Sequence, residues 1–289
     1  MTTWLSTYGT LAEWCDKCPV CKGTQFKHLS VEEKFSMWRD SETERCSCWK
    51  LYVVMQRLWM QEFPRGYLRW NWDSQWPYDL NNQKELVEKW NEVYPDSYAW
   101  QFDPSTTDEK AVLHWVDNPN EVAMKGLSLF LHGSKGTGKT ALATVLSKEY
   151  TKRRGLDATG TIGDFIPSFL VCDELYQYLS DKGDWKGRET ANKAMRADLL
   201  VLDDLRLNYT GYVQTEMAER LHAFLQYRAG CNLPTIITAN KMGSAQDFSN
   251  NCVTEFLGIS KEGTPDRFGK YRFIKLANEP LRPEPEWSV

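Results

Sequence analysis

A chain of 289 residues, 42% hydrophobic and 26% charged, holds one full α/β domain and a smaller module. It contains no apolar run long enough to span a membrane and no basic-then-apolar export signal at its start, so a cytoplasmic protein with reduced cysteines is expected. The net charge of −4 excludes a globally basic nucleic-acid binder, and any DNA contact must be local or made by several subunits around a strand.

Five of the eight cysteines, Cys15, Cys18, Cys21, Cys46 and Cys48, fall in the first fifty residues. Cys18-Pro19-Val20-Cys21-Lys22-Gly23 has the two-residue spacing and trailing glycine of a zinc knuckle, a turn that points both sulfurs at one metal. Cys46 and Cys48 are the expected second pair, giving a four-sulfur Zn²⁺ site in a module of residues 1–50. One intervening residue is tight for such a pair, so Cys15 and His28 stand as alternative ligands. The C-x-x-C spacing lacks the strand-helix setting of a redox motif, and disulfides do not suit a reducing compartment.

Residues 51–106 read as a Trp-rich helical region that binds a partner. Trp59, Trp70, Trp72, Trp76 and Trp90 lie between Trp49 and Trp100. Leu51–Phe63 and Lys84–Val93 space their apolar residues at helical intervals, and Pro64, Pro77, Pro95 and Pro104 punctuate the stretch. Most of these rings belong in a small core. Trp70-Asn71-Trp72 is the expected exposed pair, suited to a protein interface or to stacking on single-stranded bases. Positions 1–107 carry 15 acidic against 12 basic residues, before any thiolate is counted, which favours a protein partner. The boundary is expected near Pro104–Asp108, followed by a helix over Glu109–Val116.

The apolar run Leu127–Leu131 feeds Gly133-Ser134-Lys135-Gly136-Thr137-Gly138-Lys139-Thr140, so a strand enters a glycine-rich turn that opens a helix. This is a Walker A phosphate loop in its proper setting. Backbone N–H groups and the positive helix end cradle phosphate, Lys139 reaches the β- and γ-phosphates, and Thr140 offers its hydroxyl to Mg²⁺. The basic end of the following helix, Lys148, Lys152, Arg153 and Arg154, is expected to complement the helix C-terminus.

Lys182, Lys186, Arg188, Lys193 and Arg196 mix with Asp181, Asp184 and Glu189, which is equally a DNA-contacting segment or a solvated helix face. Leu199-Leu200-Val201-Leu202 then reads as a strand buried on both faces, ending in Asp203-Asp204. Sixty residues beyond a Walker A loop, this pair fits a Walker B motif: Asp203 to complete the Mg²⁺ shell, Asp204 to polarise the attacking water. After a helix over Val213–Ala229, the strand Thr235–Ala239 ends at Asn240, placed to touch a γ-phosphate.

The order Walker A, Walker B, Asn-tipped strand resembles the AAA+ family, in which Asn240 takes the sensor 1 place. Within it, Asp117–Leu276 resembles the ATPase domain of DnaC/DnaI-type replicative helicase loaders and the related IstB-type transposition helpers. Asp198–Leu205 carries that group's double aspartate, Pro234–Asn240 its sensor strand, and Asp266-Arg267-Phe268 its Arg-hydrophobe pair. The resemblance implies that Arg267 reaches the γ-phosphate of a neighbouring subunit and nominates Arg272 as a sensor-like second arginine.

It further implies an α/β fold, an AAA+ P-loop ATPase domain over 107–278 with a parallel sheet flanked by helices; the cysteines and tryptophans add a zinc-binding Trp-rich N-terminal part, and the composition a Pro/acidic tail over 279–289. Only residues 277–289 follow the last strand, too few for a long helical lid. The implied function is an ATPase with ATP and Mg²⁺ that forms homo-oligomers and places a hexameric helicase on single-stranded DNA in a bacterial cell, with phages as one expected source. A transposition helper acting on duplex DNA and an ATP-switched adaptor with little turnover are the alternative readings.

Overall fold

The computed structural model describes residues 9–28, 43–68, 108–156, 162–179, 185–205, 212–240 and 271–276. The chain divides into two compact units, Met1–Ala99 with Lys148–Phe165, and Trp100–Ser147 with Ile166–Val289. Among the described residues, no helix is long and apolar enough to cross a membrane.

In the first unit, helix α1 (Leu11–Asp16) starts at a capping box. The Thr10 hydroxyl accepts from Glu13 N–H at 3.3 Å and Glu13 Oε2 accepts from Thr10 N–H at 2.6 Å, which satisfies two donors that the helix itself leaves open. A short antiparallel pair follows, β1 (Phe26–His28) with β2 (Thr43–Arg45), and leads into α2 (Ser47–Met60). Cys48, Leu51, Tyr52, Met55 and Leu58 recur at helical spacing on the buried side of α2. This helix runs across residue 50, where the zinc module and the Trp-rich region were expected to divide. Trp49 is buried in it, while Trp59 is capped by the Arg65 guanidinium at 3.9 Å; Trp70, Trp72, Trp76, Trp90 and the helix expected over Lys84–Val93 lie outside the described residues.

The second unit is built on a parallel five-stranded sheet in the order β4-β5-β6-β3-β7. Its strands are β3 (Ser128–Gly133), β4 (Pro167–Val171), β5 (Leu199–Leu205), β6 (Thr235–Asn240) and β7 (Tyr271–Lys275). Helices α3 (Asp108–Asp117) and α4 (Pro119–Lys125) precede β3, and α5 (Lys139–Gly155) follows it. Helices α6 (Cys172–Leu179) and α7 (Trp185–Arg196) connect β4 to β5, and α8 (Tyr212–Gly230) connects β5 to β6. Phe130, Leu200, Leu202 and Ile237 line one face and pack with Leu175, Ala194, Leu221 and Phe224 of α6, α7 and α8. Leu129, Leu131, Val201 and Ile236 point the other way and are equally buried, so both faces are covered, as a parallel sheet requires. Because the strands are parallel, the ends of β3, β5 and β6 share one edge, where open α/β sheets bind ligands.

Arg228, at the end of α8, is fully buried. Its guanidinium donates to Ala194 O, Met195 O and Ala197 O at the end of α7, and to Pro234 O and Thr235 Oγ1 at the start of β6. Its planar fork of donors thereby ties the entries to β5 and β6 together, at 2.7–3.2 Å.

Lys148 departs from the expectation of a charge at a helix end. It is fully buried in the first unit, and its Nζ donates to Leu68 O at 3.0 Å. Burial pushes its ammonium down to about 7, against an attractive pull from Glu149. Lys152 and Arg153 turn toward the buried Glu149 at 3.7 and 3.8 Å. Since the folded value lies below the ordinary one, the unfolded chain binds more protons between about pH 7 and 10, and stability rises with pH across that window by up to about 1.4 kcal/mol per unit. Denaturant unfolding is expected to show this rise in the wild type and a flatter profile in Lys148→Met. Parallel profiles would mean that the ammonium is solvated.

Candidate nucleotide site and thiol cluster

The phosphate loop turns on Gly136 and Gly138, at φ +89° and +82°, where a side chain is strained. The turn brings Lys139 back over the loop. Its Nζ donates to Gly133 O at 3.1 Å, Ser134 O at 2.6 Å and Thr137 Oγ1 at 3.4 Å, so the ammonium occupies the loop's own carbonyls. Burial pushes it down to about 8, while the charges of Asp203 and Asp204 hold it up. Lys135 is exposed on the rim.

Thr140 is the second residue of α5, beside the loop, and its hydroxyl donates to Asp203 Oδ1 at 2.9 Å, across 63 positions of sequence. Burial raises the Asp203 carboxyl above its ordinary range, opposed by hydrogen bonds from Thr238 and Thr140. Asn240, at the tip of β6, donates from Nδ2 to Asp204 Oδ1 at 2.8 Å. Lys139, Thr140, Asp203, Asp204 and Asn240 thus form one cluster at the strand edge. A hydroxyl and a carboxylate in contact are hard oxygen donors, a set that fits Mg²⁺.

Sequence reading missed Thr238. Its hydroxyl donates to Asp203 Oδ1 at 2.6 Å and accepts from the Asp204 N–H at 3.0 Å. The signal was present in the two-residue spacing to Asn240, which puts both side chains on one face of β6. Arg267 lies outside the described residues. Arg272 is exposed near the start of β7, paired with Leu129 and four residues short of Gly133, about 13 Å of strand away, so it does not reach the loop of its own chain. In the basic segment, Lys193 pairs with Glu189 at 2.8 Å on an exposed face of α7, and Arg188 and Arg196 are exposed; Lys182 is outside the described residues.

In the first unit Cys18, Cys21, Cys46 and Cys48 are buried with their sulfurs within 4.8 Å of one another. Cys18 and Cys46 lie 3.8 Å apart, Cys21 and Cys48 3.5 Å. A zinc tetrathiolate with Zn–S of about 2.3 Å has edges of about 3.8 Å, so the four sulfurs fit that ion. The single residue between Cys46 and Cys48 is accommodated because Cys46 is the extended N-cap of α2, at ψ 150°, while Cys48 sits within its first turn. Cys15 is also buried, its sulfur 3.4 Å from that of Cys48 and outside the set of four. Hydrogen bonds from Cys46 and Cys48 hold the Cys18 thiol far below its ordinary range, and the bond with Cys18 pushes Cys46 above it. Crowded thiols ionise one at a time unless a cation neutralises them together.

A glycine-rich turn after β3, paired aspartates on β5 and an amide at the tip of β6 thus meet at one edge of a parallel α/β sheet in the order β4-β5-β6-β3-β7. No protein family matches the chain by sequence profile, and no curated protein matches it. Among solved structures, it is similar to a DnaC helicase loader at 19% identity, covering 61% of this chain and 94% of that one, with a TM-score of 0.43. It is similar also to DnaI, at 21% identity, 61% and 88% coverage and a TM-score of 0.42. A third is domain III of the replication initiation protein DnaA of Thermotoga maritima, at 16% identity, 61% and 68% coverage and a TM-score of 0.41.

Proposed function

We propose that the chain is an ATPase that acts as a helicase loader in DNA replication, placing a hexameric replicative helicase on single-stranded DNA. The observation that carries the ATPase reading is the Thr140–Asp203 contact beside the loop lysine, with Asn240 holding Asp204. In this reading Lys139 leaves the carbonyls of Gly133 and Ser134 for the β- and γ-phosphates, and backbone N–H groups of residues 133–140 bind the rest of the chain of phosphates. Thr140 and Asp203 hold Mg²⁺, which when bound neutralises charge on the phosphates. Asp204 orients and polarises the attacking water, Asn240 reads the γ-phosphate, and Arg267 of a neighbouring subunit completes the site. Cys18, Cys21, Cys46 and Cys48 hold Zn²⁺ and keep the first unit folded for its protein partner.

The loader role rests on the sequence resemblance at Asp198–Leu205, Pro234–Asn240 and Asp266–Phe268. Homo-oligomers, the helicase, single-stranded DNA and a cytoplasmic setting come with it.

Lys139→Ala is expected to lose triphosphate binding, whereas Asp204→Asn keeps it and turns over at least about a hundredfold more slowly, the worth of a positioned general base. Nucleotide binding and steady-state phosphate release measure the two. Equal loss of binding in both would remove Asp204 from the water. A wild type that binds ATP without turnover, alone or with DNA, would leave an ATP-switched adaptor. Preference for duplex over single-stranded DNA would favour a transposition helper.

A further inference from the structure

Strand β5 does not run regularly past its aspartates. Leu202 pairs with Ile237 and Leu205 pairs with Ala239, so Asp203 and Asp204 together oppose the single residue Thr238. Asp204 takes φ +56° to fit, a left-handed conformation that is strained for a non-glycine residue and that aspartate tolerates better than most. An extra residue on one strand re-aims side chains and leaves ladder groups without strand partners. Here the group so freed is the Asp204 N–H, and it goes to the Thr238 hydroxyl at 3.0 Å. The same hydroxyl spends its one proton on Asp203 Oδ1 at 2.6 Å. Thr238 is itself almost fully buried, so water does not substitute for it.

We infer that Thr238 is the positioning residue of the nucleotide site: one hydroxyl fixes the bulge that turns Asp204 toward Asn240 and the rotamer that turns Asp203 toward Thr140. This deepens the ATPase reading and rests on it for its chemistry, while the bulge itself stands on geometry alone. Thr238 touches neither nucleotide nor metal in this assignment. It acts by deciding where two carboxylates point.

The pair Thr238→Val and Thr238→Ser separates hydroxyl from shape. In the Val protein the Asp204 amide is expected to exchange with solvent deuterium about tenfold faster than in the wild type, the worth of one hydrogen bond, with Val201 and Leu202 unchanged and the Ser protein protected like the wild type. Fluorescent-ATP binding gives a second readout. Affinity in EDTA should be the same in all three proteins, and the gain on adding Mg²⁺ should fall by about tenfold in the Val protein only. Wild-type amide protection in the Val protein, or an unchanged Mg²⁺ gain, overturns the inference. If the Val protein does not fold, Thr238→Cys, a poor donor near serine in size, replaces it, and Cys behaving as Ser overturns the inference. Loss of ATP binding in the wild type would instead sink the ATPase reading, with the amide exchange still deciding the role of Thr238 in the bulge.

Discussion

Removing metal from the thiol cluster is expected to unfold the N-terminal region around it and to leave the ATPase domain folded. The wild type should carry about one zinc per chain, and Cys18→Ser or Cys21→Ser should abolish it. Structural zinc contributes an apparent 10–16 kcal/mol or so in small peptides at neutral pH, as much as the whole stability of an ordinary domain. That region would depend on such an ion because its turns converge on the four sulfurs. Lys22 N–H bonds Cys18 O, Gly23 N–H bonds Cys15 O, and the start of α2 supplies the other two sulfurs. Without a cation those buried sulfurs repel one another as thiolates or crowd as thiols. Cys15→Ser, outside the set of four, should keep the zinc. Metal analysis finding no zinc in protein purified without chelators would remove the site, and zinc lost from Cys15→Ser but kept in Cys48→Ser would exchange those two ligands.

The phosphate loop was legible in the sequence because its chemistry demands contiguous residues, and β5 and β6 because strands covered on both faces are apolar without a break. The structure runs β3 through Gly133 and α8 over Tyr212–Gly230, close to the expected Leu127–Leu131 and Val213–Ala229. What escaped depends on pairing between distant segments. The bulge opposite Thr238 exists only once β5 lies beside β6, and nothing local in Leu-Asp-Asp-Leu announces it. Lys148 reads as a charge complementing a helix C-terminus, and its burial shows only once Leu68, eighty positions earlier, accepts from it. Helix α2 begins at Ser47, ahead of the expected Leu51, because its cap is a cysteine with no side-chain capping bond, a signal weaker than the usual Ser, Thr, Asp or Asn. Strand β4 opens with Pro167, which reads as punctuation rather than as the first residue of a strand.

Arg267→Ala is expected to bind ATP nearly as the wild type does and to hydrolyse it about 10³–10⁵-fold more slowly, the worth of an arginine finger in well-studied GTPases. In the proposed reading Lys139 and a Mg²⁺ held by Thr140 and Asp203 would meet the phosphates from one side, leaving charge that develops on the γ-phosphate to be met from the other. A second cation from outside would balance it, and the resemblance at Asp266-Arg267-Phe268 assigns that cation to the next subunit. If so, the active site exists only between subunits, and turnover per chain should rise with protein concentration or with a single strand of DNA that gathers copies. Mixing then becomes the decisive measurement. Arg267→Ala has an intact loop and Lys139→Ala an intact arginine, so a mixed interface contains one complete site although neither protein alone has any. Phosphate release should therefore peak at an intermediate ratio of the two proteins. Rates that stay flat at every ratio, under conditions where the wild type assembles, would make Arg267 an ordinary surface charge and leave hydrolysis to be completed within one chain.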